Sequence, residues 1–290
     1  MRKLIFIGAL VFLAFLGSAT FLDLWIDKAL FNPQSTFGAI FAVIGLLPQI
    51  GIIFIAPAMV WAVFIAKRKD IKPTGILILI FVSAVSVFRI YNDQDDLPNV
   101  IKSNPWIIVL FFCALVFVVL PFAKKHPHEV LQAGIIAVLV LFAGRLILDN
   151  VKMNWGRQRF FTMTDPDSQF TRWFLPQGKA ASDSFKSFPS GHSFSAMLSV
   201  WVSLIPVCIF GAGEKARKWS KIIVVLALLF GFTTMFSRLV LGMHFLSDVT
   251  CGAVISLACF VVFKSLIDAN YERIRTLSFK AGSLPSANEE

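Results

Sequence analysis

The chain has 290 residues, of which 57% are hydrophobic and only 15% charged, and its mean hydropathy is +0.76. A soluble domain carries about 25% charged residues, so this composition excludes an ordinary soluble enzyme. The formal net charge is +10, but no nucleic-acid-binding module or basic face accompanies it, and no nucleic-acid partner is expected. The composition predicts an all-α, polytopic membrane protein.

Eight apolar stretches are long enough to cross a bilayer as helices. In chain order they are predicted at residues 4–22, 38–66, 74–91, 105–123, 130–150, 191–210, 221–241 and 244–267. Pro48 and Pro57 interrupt the second stretch, which is therefore expected to divide into an interfacial segment and a span near 48–66. The first stretch is long for a secretory signal and is expected to remain as a signal-anchor helix.

The basic residues predict the orientation of the spans. Clusters of Lys and Arg lie in the connections at 67–72, 124–125 and 215–221, whereas the short connections at 23–28 and 93–102 carry mainly aspartate. Positive charge favours the cytoplasmic side of short loops. Both termini are therefore predicted to be cytoplasmic, in an integral membrane protein that fits a bacterial inner membrane.

The chain is predicted to have three segments. Residues 1–129 form membrane spans without catalytic motifs, residues 130–270 form a catalytic core, and residues 271–290 form a cytoplasmic tail whose end is expected to be disordered. Within the core, the connection 151–190 is long, polar and punctuated by Pro and Gly, and the topology places it outside the cytoplasm. Loops of this length are usually functional or disordered. Its many aromatic residues favour a functional loop.

Three polar clusters lie at the ends of consecutive spans, and the alternation of the spans brings them to one membrane face. The clusters comprise, in chain order, Lys152 and Arg159; Ser190, Gly191 and His192; and Arg238, His244 and Asp248. Lys and Arg are the side chains that hold phosphate oxygens, and the N–H groups at a helix start favour an anion. The clusters together predict a phosphate site.

Two histidines add chemistry to this site. His244 and Asp248 are four residues apart, so on a helix they would share a face and the carboxylate could hold one imidazole nitrogen. An imidazole oriented in this way is a capable nucleophile, and His192 can protonate a leaving oxygen. No metal-ligand spacing is present, and the four cysteines lie in apolar spans, so neither a metal nor a disulfide framework is expected.

Other charged or polar positions are given non-catalytic interpretations. Arg145 and Asp149 are predicted to form an ion pair near the site. Arg157 is interpreted as a solvated loop charge and not as an aid to Arg159. Ser190 also has the residue type of a helix N-cap, a role that is compatible with phosphate binding.

The ordered pattern KxxxxxxR, PSGH and SRxxxxxHxxxD resembles the type 2 phosphatidic acid phosphatase superfamily. That superfamily comprises membrane lipid phosphatases and shares its site with soluble acid phosphatases and vanadium haloperoxidases. The resemblance implies that His244 is the nucleophile that forms a phosphohistidine, that Asp248 orients it and that His192 is the general acid. It also implies a phosphate-binding set of Lys152, Arg159, Ser190, Gly191 and Arg238. The family's mechanism needs no metal or other cofactor.

Two features of the chain differ from the family pattern. Arg159 is followed by Phe160, where the family usually has proline. The family core typically has six spans, so the eight predicted here include a surplus pair before residue 130, to which no role is assigned.

The resemblance implies a lipid phosphatase that hydrolyses a phosphomonoester or diphosphate of a lipid or polyprenyl phosphate at the outer membrane face. Two alternatives stay open at this point. The same phosphohistidine could pass its phosphoryl group to a lipid or sugar acceptor, or the protein could be a transporter that holds an anionic lipid without cleaving it. The expected partners are a phosphorylated lipid or polyprenyl substrate and the bilayer itself.

Overall fold

A computed structural model describes the backbone of residues 2–92 and 105–280 and the side chains of residues 11–90 and 107–280. This part of the chain is helical, and its β-type pairing is limited to one isolated bridge between Ile71 and Phe279. The all-α fold class is therefore confirmed. The predicted disorder at the end of the tail concerns residues 281–290, which lie outside the described residues.

Apart from residues 93–104, which lie outside the described residues, the helices are joined by short connections and by one long loop that precedes residue 190. They are α1 (Arg2–Leu30), α2 (Thr36–Ile44), α3 (Leu47–Ala66), α4 (Pro73–Asn92), α5 (Pro105–Lys125), α6 (Pro127–Trp155), α7 (Pro166–Gln169), α8 (Gly191–Met197), α9 (Ile205–Phe210), α10 (Glu214–Val240) and α11 (Leu246–Ser278). Short 3-10 turns lie at Phe160–Thr162, Asp183–Phe185 and Leu198–Leu204.

Seven stretches of the described residues are long and apolar enough to cross a membrane, which confirms a polytopic helical membrane protein. They are Thr36–Ala66, Pro73–Ile90, Ile107–Lys125, Pro127–Thr162, Gly191–Phe210, Glu214–Val240 and Leu246–Ser278. They correspond to seven of the eight predicted spans. The remaining prediction, residues 4–22, lies within the 29-residue helix α1 and is not among the seven.

The predicted division of the long second stretch into two helices is confirmed, whereas the interfacial position of its first part stays a prediction. α2 ends at Ile44 and α3 begins at Leu47. Pro48 lies in the first turn of α3, where its missing N–H has no helical partner to lose. Pro57 lies inside α3 without ending it. The division leaves α2 as a separate nine-residue helix.

The described residues form two compact units, each made of separate chain segments. The first takes residues 1–48, 143–199 and 226–259, and the second takes residues 49–142, 200–225 and 260–290, as far as each range is described. All eight predicted site residues belong to the first unit. Residues 1–48 therefore pack with the segments that carry the motifs, although they contain no motif themselves.

The core of the first unit joins α8, α10 and α11. Its buried residues are Met197, Met235, Leu239, Val249 and Ala253, and α1 packs against them with Phe12, Ile26 and Leu30. Close packing of such side chains fixes the relative positions of the helices that bear them. α1 is thus part of the framework that positions the site.

In the second unit, the end of α11 is held by the connection between α3 and α4. The backbone N–H of Lys72 donates to the carbonyl of Ser278 at 2.9 Å, and the N–H of Lys280 donates to the carbonyl of Asp70 at 2.8 Å. Residues 271–278, which were predicted to begin the tail, are the last turns of α11.

In the first unit, α11 passes very close to the start of α8. A Cβ atom added at Gly252 would overlap the carbonyl oxygen of Ser190 and would lie 3.3 Å from the backbone nitrogen of Phe194. Because neither backbone can yield easily, we predict that Gly252→Ala lowers the free energy of unfolding by about 1–3 kcal/mol. The measurement is the melting temperature of the purified protein in detergent.

Gly17→Ala is the matched control, because no atom lies within 4 Å of a Cβ at this position of α1. Alanine has a helix propensity about 1 kcal/mol better than glycine, so this variant should melt at or above the temperature of the parent. Equal melting temperatures for the two variants would contradict the close approach of α11 to α8.

Candidate active site

The segment 183–190 connects the end of α6 to the start of α8 through backbone hydrogen bonds. The N–H of Ser187 donates to the carbonyl of Arg157 at 3.0 Å, and the N–H of Arg159 donates to the carbonyl of Ser184 at 2.8 Å. These two bonds fix residues 157–159 against the end of the long loop. The first polar cluster is thereby placed beside the second.

Ser190 connects this segment to α11. Its backbone N–H donates to the carbonyl of Asp248 at 2.9 Å, and its Oγ accepts the N–H of Ser193 at 3.3 Å. Ser190 is therefore the N-cap of α8, as predicted. Gly191 follows as the first residue of the helix, and a Cβ there would approach only Arg145, at 3.7 Å from NH1. The second cluster thus lies directly against the third.

The two cations of the first cluster have weakly held partners. The Nζ of Lys152 donates to the carbonyl of Lys186 at 3.1 Å. The NH1 of Arg159 pairs with Oδ2 of Asp183 at 2.9 Å, and the Asp183 side chain is 73% exposed. Solvent-exposed ion pairs contribute about 0–1 kcal/mol. An incoming phosphate can therefore replace both partners.

The short helix α2 contacts one residue from each of the other two clusters. The NH2 of Arg238 donates to the carbonyl of Gly38 at 2.8 Å, and Nε2 of His192 lies 3.1 Å from the carbonyl oxygen of Ala42. Because a carbonyl oxygen only accepts hydrogen bonds, Nε2 of His192 carries a hydrogen. The sequence contained no signal for these contacts, since both partners are backbone atoms.

His244 lies in the turn between α10 and α11 and is 3% exposed. The prediction that it shares a helix face with Asp248 is wrong, because α11 begins only at Leu246. Gly242, with a φ of +61°, allows the chain to turn before the histidine. The Nδ1 of His244 lies 2.6 Å from the carbonyl oxygen of Ser187. Nδ1 therefore carries the hydrogen, and Nε2 of the neutral ring keeps its lone pair.

Burial and the surrounding basic side chains both favour the neutral form of the His244 ring. Burial lowers the pKa of His244 well below its usual value, and nearby basic side chains lower it further. In decreasing order of effect these side chains are Lys152, Arg159, His192 and Arg238. Residues from all three predicted clusters therefore act on this one imidazole.

Asp248 is fully buried, and its carboxylate is held by three donors. Oδ1 accepts from NH1 of Arg157 at 2.6 Å, while Oδ2 accepts from Oγ of Ser187 at 2.5 Å and from the N–H of Phe245 at 2.9 Å. Oδ2 lies 3.9 Å from Nδ1 of His244, which is too far for a hydrogen bond. The predicted hydrogen bond between the Asp248 carboxylate and the His244 imidazole is therefore absent.

Arg157 is 1% exposed, so its interpretation as a solvated loop charge is wrong. Besides Asp248, its guanidinium donates to Oγ of Ser247 at 2.7 Å, to Oδ2 of Asp23 at 2.9 Å and to the carbonyl of Thr171 at 3.0 Å. A buried cation is costly unless it is paired. Here two buried carboxylates provide the pairing.

Asp23 and Ser187 are site residues that the sequence analysis missed. Asp23 lies on α1 and is 1% exposed. It accepts from the N–H of Ser247 at 2.9 Å and from the Ser247 hydroxyl at 2.5 Å, in addition to Arg157. An aspartate at the end of an apolar run was the available signal, but it was assigned to an outside connection. No sequence pattern marked Ser187 as a site residue.

Two further observations complete the surroundings of the site. Arg145 and Asp149 form the predicted ion pair, with 3.0 Å between NH2 and Oδ1. Within residues 2–92 and 105–280, no group of three or more His, Cys, Asp and Glu is arranged to hold a metal ion.

Residues 131–272 match the model of the PAP2 superfamily. Over this segment the chain belongs to that superfamily. The resemblance inferred from the motifs is thus confirmed, and the matched segment contains all eight predicted site residues together with Arg157 and Ser187, but not Asp23. Comparisons with curated proteins and with solved structures give no match. Superfamily members are phosphatases, so the protein is an integral membrane protein of phosphatase type.

The ion pair of Arg159 leads to a prediction about anion binding. Asp183→Asn removes a carboxylate that competes with phosphate for the same guanidinium, so the dissociation constant for inorganic phosphate should fall by about 2–5-fold, the equivalent of an exposed ion pair. The measurement is isothermal titration of the detergent-solubilised protein with phosphate.

Asp167→Asn is the matched control for this measurement. Asp167 belongs to the same loop and also forms an exposed pair, with Lys28 at 2.6 Å, but it does not contact the site residues. Its replacement should leave phosphate binding unchanged. Unchanged or weaker binding by Asp183→Asn would mean that Arg159 does not bind the anion.

Proposed function

We propose that the protein is a membrane phosphatase that hydrolyses a phosphomonoester or diphosphate of a lipid or polyprenyl phosphate at the outer membrane face. The reaction proceeds through a phosphohistidine on His244. The observation that carries the proposal is a buried, neutral imidazole with its lone pair on Nε2 and the cations Lys152 and Arg159 beside it. A nucleophile and a cationic pocket at one place are what phosphoryl transfer requires.

Lys152, Arg159 and Arg238 bind the phosphate oxygens of the substrate. Their partners in the structure are two backbone carbonyls, the Ser237 hydroxyl and an exposed carboxylate, and only the last of these carries a charge that opposes a phosphate dianion. Positive charge around the equatorial oxygens also stabilises the transition state of phosphoryl transfer. The cap residue Ser190 and the adjacent Gly191 add donors on one side of the phosphate.

In the first step, Nε2 of His244 attacks phosphorus and the bond between phosphorus and the lipid oxygen breaks. His192, protonated on both ring nitrogens once the phosphate dianion is bound, gives its Nδ1 proton to the departing oxygen, while Nε2 keeps its hydrogen bond to the Ala42 carbonyl. The product is an alcohol and a phosphohistidine. Ser187 stabilises the phosphohistidine because its carbonyl oxygen accepts the Nδ1 hydrogen of the ring.

In the second step, the neutral His192 takes a proton from water while the water oxygen attacks phosphorus. The bond between phosphorus and Nε2 of His244 breaks, and inorganic phosphate leaves. Both histidines then return to their starting protonation states. The sum of the two steps is hydrolysis of one phosphate bond.

The surroundings of the site support a lipid substrate. α2 turns the carbonyls of Gly38 and Ala42 towards site residues, and it exposes Ile40 and Val43 at 52% and 68%. In a membrane protein such apolar side chains face the acyl chains of the bilayer, so a lipid whose tail lies there can present its phosphate head to the adjacent cations. The positive-inside pattern of the connections favours the outer face for this site.

A substrate panel tests the proposal. Phosphate release from phosphatidic acid, phosphatidylglycerophosphate and undecaprenyl diphosphate is measured with the purified protein and with His244→Asn. Asparagine keeps a donor for the Ser187 carbonyl but lacks the nucleophile, so release should fall by at least about 10³-fold. His126→Asn, at a half-buried histidine outside the site, should retain the activity of the parent.

The products of the same panel distinguish the alternatives. Labelled phosphoryl groups that appear in an organic acceptor and not in solution would establish a phosphotransferase. Binding of all three lipids without release, together with equal behaviour of the parent and His244→Asn, would establish a binding protein and refute the phosphatase.

The role of His192 as an acid gives a separate prediction. His192→Gln preserves a donor to the Ala42 carbonyl but cannot transfer a proton, so kcat on the lipid phosphate should fall by about 10²–10⁴-fold. With p-nitrophenyl phosphate, whose leaving group departs without a proton, the loss should be much smaller. Equal losses with the two substrates would exclude proton donation by His192.

A further inference from the structure

We infer that Asp23 and Arg157 are positioning residues that fix the carboxylate of Asp248 and, through Ser187, the ring of the nucleophile His244. The inference rests on the proposed function, because it concerns the same site. It makes α1, which lies outside the segment matched by the superfamily model, a part of the catalytic apparatus.

Each of the three guanidinium nitrogens of Arg157 donates to a protein partner. Its NH1, NH2 and Nε contact Asp248, Asp23 and the carbonyl of Thr171 at 2.6, 2.9 and 3.0 Å. The planar group also stacks on Phe245, with 4.1 Å from Cζ to the ring centroid. A rigid donor fork held from three directions has one orientation. Arg157 is therefore not a phosphate ligand, in contrast to an arginine with an exposed partner.

Asp23 fixes Arg157 to the first turn of α11. One of its oxygens accepts the N–H of Ser247 at 2.9 Å, and the other accepts both the Ser247 hydroxyl and the guanidinium. A carboxylate at a helix N-terminus is favoured by the free N–H groups there. Since Ser247 directly precedes Asp248, this contact holds the backbone that carries the second carboxylate.

The chain of contacts continues from Asp248 to His244 through one serine. The hydroxyl of Ser187 donates to Oδ2 of Asp248 at 2.5 Å, while the carbonyl of the same serine accepts from Nδ1 of His244 at 2.6 Å. Oδ2 also accepts the N–H of Phe245, the residue after the histidine. A displacement of the Asp248 carboxylate would therefore shift the His244 imidazole both through Ser187 and through the backbone of Phe245.

A purely structural tether and a positioning role predict different kinetics. If the ion pairs only hold α1 in place, their loss lowers the amount of folded protein but not the rate of each folded molecule. If they position the imidazole, kcat falls while KM is retained, because the phosphate-binding cations are not altered. A misplacement of about 1 Å is sufficient for a loss of about 10²-fold in rate.

The experiment compares the parent with Asp23→Asn, Arg157→Gln, Arg157→Lys and Ser187→Ala in detergent. The substrate is whichever of the three lipid phosphates the parent hydrolyses fastest. The readouts are kcat per folded protein, KM and the single-turnover rate of phosphohistidine formation. The matched controls are Asp167→Asn, Arg172→Gln and Ser182→Ala, three exposed residues of the long loop.

We expect Asp23→Asn and Arg157→Gln to lower kcat by about 10–100-fold with KM within about 2-fold. Arg157→Lys should recover part of the loss, because it restores the charge but not the fork. Ser187→Ala should lower kcat by about 10-fold, and phosphohistidine formation should slow in the same proportion in each variant. The three controls should match the parent.

Ser187→Ala removes no charged group, so it tests the positioning role even if the variants of Asp23 or Arg157 do not fold. Parental kcat for Ser187→Ala, or a loss in any variant that appears only as less folded protein, would overturn the positioning role. An active parent with unaffected variants overturns this inference alone. A parent that is inactive on all three lipids overturns the proposed function as well.

Discussion

The carboxylate of Asp248 lies in the interior of a membrane protein and accepts hydrogen bonds from a guanidinium, a hydroxyl and a backbone N–H. Leaving such a group without partners would cost several kcal/mol, so the chain must bring those donors to it. They come from the residues just after α6, from the segment 183–190 and from the turn before α11. Meeting this one requirement draws the three motif-bearing regions together.

The polar contacts of the site fall into two kinds. Arg157 and Ser187 hold the carboxylate side through short contacts between residues of at most 1% exposure, and such contacts are rigid. Lys152 and Arg159 instead contact a carbonyl oxygen and an exposed carboxylate, which a phosphate can replace. A fixed imidazole beside cations whose partners can be displaced is the arrangement expected for electrostatic preorganisation.

The contribution of residues 1–48 changes the view of what the site consists of. The superfamily model covers residues 131–272, yet α1 supplies Asp23, and α2 supplies carbonyl groups to Arg238 and His192. These residues belong to the same compact unit as the motifs. In this chain the matched segment is therefore completed by helices that precede it.

Length and hydropathy were sufficient to predict seven spans that the structure also shows, and the order of the motifs was sufficient to identify the superfamily, because both are periodic or local features. The cap at Ser190 is local in the same sense. The partners of Arg157 were decided only by the tertiary structure, since Asp23 lies 134 residues away in the chain and spacing says nothing about such a pair. The hydrogen bond from Nδ1 of His244 could not be predicted either. Its acceptor is a backbone carbonyl, a group that every residue carries and that no sequence pattern marks.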